Sequence, residues 1–117
     1  MVMMKWGGKK WTLSKKTIMS LEKLSMSMGY NTEDNKREPI TISIPYTVYK
    51  EYGVDVNMEV SAWAFYLGSE NGLYIGTERF GPMRMKLVGV DVSDINVTPG
   101  GIIQSATLSI SLEEVME

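Results

Sequence analysis

Apolar and polar residues alternate along much of the chain, which is the period of a half-buried strand. Trp11 and Leu13 alternate with Lys10, Thr12 and Ser14, and a second alternation runs through Met19 and Leu21, then Leu24, Met26, Met28 and Tyr30. Between Leu21 and Leu24 the apolar phase slips by one, which predicts a bulge or bend. Residues 31–37 are wholly polar and predict a flexible loop. The clearest strand is Ile40 to Ile44, apolar at every second position and ended by Pro45.

At Asp55 the period changes. Val56, Val60, Trp63, Ala64 and Leu67 share one helical face, with Asp55 as N-cap and Gly68 as terminator, so the spacing predicts a helix over about 56–67. After it come a short strand at Leu73–Ile75, a Gly81-Pro82 break, and a strand from Met83 to Val92 whose phase changes beside Gly89. The turn Asn96 to Gly101 leads into a last strand in which Ala106, Leu108, Ile110 and Leu112 face one way, so the chain closes on a long hairpin. The expected fold class is α+β, mostly β: an antiparallel sheet, or a partly open barrel or sandwich, with one packed helix. The 117 residues read as a single domain, with residues 1–8 as a flexible arm that becomes ordered on assembly.

Composition changes this picture mainly through what is missing. With no Cys and no His, thiol and triad chemistry and zinc thiolate sites are excluded, and catalysis would fall to carboxylates, Lys, Tyr or Ser. The start MVMMKWGG shows no export signal, and the uninterrupted apolar stretch of about eighteen residues that a membrane helix requires is missing. Charge is segregated. Residues 1–37 carry +5 and the remaining eighty carry −7, a division suited to complementary contact between neighbouring subunits.

Local constellations point away from catalysis. Asp91, Ser93, Asp94 and Asn96 suggest a calcium loop, but the twelfth position, which needs a bidentate Glu, is Ile102, and the sixth, which needs Gly, is Asn96. Glu113 and Glu114 are adjacent on a strand, so they point to opposite faces and cannot act as paired carboxylates on one bond. Gly7-Gly8-Lys9-Lys10 lacks the spacing of a phosphate loop. Trp6 and Trp11 among Lys9, Lys10, Lys15 and Lys16 are compatible with stacking on single-stranded nucleic acid, although the low isoelectric point near 5.2 opposes it. The residues best suited to an assembly interface are Met3, Met4, Trp6, Lys9, Lys10, Lys15 and Lys16 at the basic end, with Glu113 and Glu114 at the acidic end.

From Glu38 onward the order of elements resembles the tail protein U family of contractile-tailed bacteriophages and prophages. The segments that carry the resemblance are ITISIPY, FYLGSENG, LYIG, ERFGPM, VGVDVSD, the PGG turn and the terminal ATLSISLEEV, about two-thirds of the chain. It implies a tail-tube-type fold and a non-enzymatic structural subunit near the tail tube and baseplate, without cofactors, located in the virion tail and, during assembly, in the bacterial cytoplasm. The implied partners are other tail proteins, including a LysM-type protein, tube or baseplate subunits, and copies of itself in a ring; neither membrane nor nucleic acid is expected. The alternative from the residues alone is a host binding module for a peptide or single-stranded nucleic acid.

Overall fold

The computed structural model describes residues 3–12, 20–21, 24–53 and 55–116. Strands β1 (Met3–Trp6) and β2 (Lys9–Thr12) form a hairpin whose two-residue loop is Gly7-Gly8, with Gly7 at φ +57°. This corrects the expected arm. Residues 3–6 are an inner strand whose alternation drives Met4 and Trp6 into the core, both fully buried.

β3 (Ser20–Leu21) and β4 (Ser25–Ser27) pair antiparallel with one long strand, β7 (Thr41–Tyr49). Their registers on β7 are offset by one residue, which is the slip expected between Leu21 and Leu24. β7 runs straight through Pro45, contrary to expectation. Pro45 lies across from Ser109 of β12, and on the other side the described residues of β4 end their pairing at Ser43 and those of β3 begin at Tyr46. The polar segment 31–37 is also more ordered than expected. β5 (Tyr30–Asn31) and β6 (Lys36–Arg37) form a small hairpin, tied by Asn31 Oδ1 accepting from the N–H groups of Glu33 (3.0 Å) and Asp34 (3.1 Å).

Asp55 caps the helix as predicted, its carboxylate accepting from Met58 N–H at 3.1 Å. α1 spans Val56–Ala62 and then tightens into a 3₁₀ turn over Trp63–Tyr66, so the α-helix is shorter than the expected 56–67. Gly68 at φ +85° ends the segment. Four further strands precede the end of the chain: β8 (Glu70–Asn71), β9 (Leu73–Ile75), β10 (Glu78–Arg79) and β11 (Met85–Val97), and β12 (Ile103–Glu114) completes the fold.

The main sheet has the order β10-β9-β1-β2-β3-β7-β12-β11-β8, with β4 beside β7. It is antiparallel except for β2 with β3. β8 ends that order and β9 is second from its other end, yet the two are separated in sequence only by Gly72, so the sheet curls back on itself into a partly open barrel with one packed helix, an α+β and mostly β fold. A Cβ on Gly72 would lie 3.2 Å from Met83 O and 3.2 Å from the Tyr74 ring, which explains the glycine at this junction. Across the interior, Trp6 Nε1–H donates to Met85 O at 3.2 Å and ties β1 to β11.

β7 and β12 bury Ile42, Ile44, Tyr46 and Val48 against Ala106, Leu108, Ile110 and Leu112. Trp63 is stacked between Trp6 (6.3 Å between centroids) and Trp11 (6.1 Å), with Tyr46 and Tyr66 at its sides. Burying three tryptophans together concentrates much of the apolar area in one cluster under the helix.

Candidate assembly surfaces

The predicted interface residues do not form one surface. Met4 and Trp6 are core residues and have no face left for a partner. Met3 occupies the β1 position opposite Thr12, and Lys15 and Lys16 lie outside the described residues. Lys10 is exposed on the outer side of β2, whereas Lys9, one position before it, points inward and is 8% exposed.

Lys9 is consumed by an internal network. Its Nζ donates to Glu59 Oε2 at 2.8 Å and lies 4.7 Å over the Trp63 ring and 5.8 Å from that of Tyr66. Glu59 Oε2 also accepts from Tyr46 O–H at 2.6 Å, and Tyr46 Oη accepts from Trp63 Nε1–H at 2.6 Å. Burial, reinforced by Glu59, pushes the Tyr46 phenol far above its ordinary range, so it remains a neutral donor. Strand β2, helix α1 and strand β7 are joined through this one carboxylate. A paired cation inside an aromatic box is a structural clasp. The Trp11 indole N–H, buried beside the box, has no hydrogen-bond partner among the described residues.

Glu114 is likewise engaged. Both its oxygens meet Arg37 (2.5 and 3.0 Å), and Oε1 also accepts from Ile40 N–H at 3.1 Å, closing the β5–β6 hairpin onto the end of β12. The Arg37 hydrogen bonds, with that from Ile40, hold the Glu114 carboxyl below its ordinary value of 4.5. Because folding lowers this pKa, the clasp contributes fully above the ordinary carboxylate range and is lost as pH falls through the lower folded value. In an NMR titration Glu114 is expected to titrate below its ordinary value, and Arg37→Ala to move it back toward that value. Unchanged titration in the variant would mean that the clasp is open in solution. Glu113 is half-buried on the opposite face, across from Lys86 and Thr41.

Sequence reasoning missed the exposure of Phe65 and Leu67. Phe65, at the end of the helical segment, is 88% exposed, and Leu67 is 52% exposed. Gly68 N–H donates to Leu87 O at 2.9 Å, so this segment is fastened where β11 leaves its pairing with β8. Val88, the extra residue of the bulge between Leu87 and Gly89, is exposed at that point. From Val88 to Val97, β11 is paired with β12 on one side and with no strand among the described residues on the other. Ile95, Val97 and Ile102 are exposed toward the hairpin tip. The signal was present in Phe65-Tyr66-Leu67, but periodicity placed Leu67 on the shared helical face. Such a free, apolar-flanked edge is what an added strand recognises.

The remaining concavities offer little chemistry. One of about 470 Å³ lies between Lys50, Asp55 and Asn57 on one side and Gly101–Ile103 on the other, and among the described residues that line it Lys50 and the capping Asp55 are the charged ones. Among the described residues no cluster of three or more acidic side chains comes together as a metal site. Comparison of the chain with family models, curated proteins and solved structures returned no match.

Proposed function

We propose that the chain is a structural subunit of a phage or prophage tail, acting near the tail tube and baseplate through ring-type assembly and without catalysis. The observation that carries the reading is the free edge of β11 from Val88 to Val97, with Phe65, Leu67 and Val88 exposed where it begins. Unpaired backbone groups supply affinity by strand addition, and exposed aromatic and aliphatic side chains supply the anchors that concentrate binding energy. An edge of this length is an aggregation hazard in a lone protein, and a partner that covers it removes the hazard. Of the segments that carry the resemblance, VGVDVSD lies on this edge strand and ATLSISLEEV on or just past its inner neighbour β12.

The test is quantitative mass spectrometry of tail particles purified after induction, with the soluble lysate as control. Wild-type protein is expected at a few copies per particle. The variant Phe65→Asp with Val88→Lys should be excluded from particles while its unfolding free energy changes by no more than about 0.5 kcal/mol per site, as for exposed positions. Absence of the wild-type chain from intact particles, with abundant soluble protein, would overturn the reading and favour a host binding module.

A further inference from the structure

The outer face of the barrel presents charge in a regular row. On β2, β1, β9 and β10 the inward positions carry Trp11, Met4 and Leu73 into the core, so their neighbours must point outward. Register then aligns four of them: Lys10 stands opposite Lys5, Lys5 opposite Tyr74, and Tyr74 opposite Arg79. All four are exposed, Tyr74 at 41%. Across three strand intervals of about 4.8 Å the row is roughly 14 Å long. Among the described residues none of its three cations is in an ion pair. Like charges directly opposite each other on a sheet are unfavourable, so Lys5 beside Lys10 is a local cost with no ion pair to offset it among the described residues.

The compensating charge is found on the long hairpin. No lysine or arginine follows Lys86 in the sequence, and β11 exposes Asp91 and Asp94, neither of which is in an ion pair among the described residues. Asp91 lies across from Ser109, and Asp94 stands at the irregularity between Ser93 and Asn96 with φ +50°, so the arm carries two exposed carboxylates within a short stretch of its edge strand. They also lie on the free edge, so one contact can combine ion pairing with strand docking. Within one chain the acidic arm and the basic row form no ion pair.

We infer that the row Lys10–Lys5–Tyr74–Arg79 receives the acidic β11–β12 arm of a second copy of this chain, so that subunits associate head to tail. The inference rests on the assembly reading above and names its interface and partner. The contact joins two different patches, so it is heterologous and propagates to a ring or a stack. A nucleic acid is the poorer occupant, because the net charge is −2 and the arm would repel a polyanion.

The absence of cysteine makes the test direct. Lys10→Cys and Asp91→Cys chains, mixed under mild oxidation, are expected to form a disulfide-linked heterodimer, and a chain carrying both substitutions should give a ladder of dimers, trimers and higher species. In sedimentation at low salt, Lys5→Glu with Lys10→Glu should weaken self-association about tenfold, and adding a chain with Asp91→Lys and Asp94→Lys should restore it. All four side chains are exposed, so the fold is expected to survive. Cross-linking no stronger than with a Lys36→Cys control, or association unchanged by charge reversal, would overturn the contact and leave the assembly reading to the particle measurement. Salt-sensitive binding of a labelled oligonucleotide by the wild type, lost on reversing Lys5 and Lys10, would overturn it in favour of nucleic acid.

Discussion

Trp63→Ala is expected to lower the unfolding free energy by about 3–5 kcal/mol, the range for removing a large aromatic ring from a packed core. Trp63 is 1% exposed and is stacked between Trp6 and Trp11, so truncation opens a void that both neighbours line. It also removes the indole N–H that donates to Tyr46 Oη. In a domain of this size the loss corresponds to a fall of roughly 10–20 °C in melting temperature. The informative control is Phe65→Ala, two positions along the same segment. Phe65 is 88% exposed, and its truncation should cost no more than about 0.5 kcal/mol. Equal costs for the two, measured by urea denaturation, would mean that the segment does not present Trp63 to the core.

Glu59→Ala should be comparably severe, at about 3–5 kcal/mol, because it strands the Lys9 ammonium in a site where its side chain is 10% exposed. The same substitution takes the acceptor from Tyr46 O–H. Lys9→Met with Glu59→Leu should recover most of that loss, since replacing a buried pair with apolar groups of similar volume is often neutral or stabilising. The two single changes are therefore strongly non-additive, and a double-mutant cycle measures the coupling. A cost below about 1 kcal/mol for Glu59→Ala would mark the pair as solvent-screened, as surface ion pairs are.

These two predictions separate what stabilises the barrel from what remains available for contact. The cationic end expected from sequence is divided between them. Lys9 is spent inside, held by Glu59 under Trp63, while Lys10 points outward, because adjacent residues of a strand face opposite ways. Of the arm expected at residues 1–8, residues 3–8 belong to a core hairpin for the same reason: Met4 and Trp6 share the inner face, and Gly7-Gly8 is a loop short enough to fold the strand back. That signal was legible, since alternation flanking a two-glycine loop is a hairpin pattern. It was obscured by the methionines and lysines around it.

Local chemistry was enough for much of the fold. Asp55 and Gly68 mark the ends of the helical segment because capping and left-handed backbone depend on near neighbours. Gly89 marks a bulge, the alternation from Ala106 to Leu112 marks a core face, and the missing Cys and His exclude whole classes of chemistry, all without reference to distant residues. Tertiary structure alone decided the rest. That β7 continues past Pro45 depends on β12, which pairs with it from Thr41 to Tyr49. That Phe65 is exposed while Trp63 is buried depends on where the barrel wall runs. The row from Lys10 to Arg79 and the free edge of β11 exist only through registers between strands up to about seventy residues apart, which no local pattern specifies, because pairing is set by which faces the whole sheet must bury.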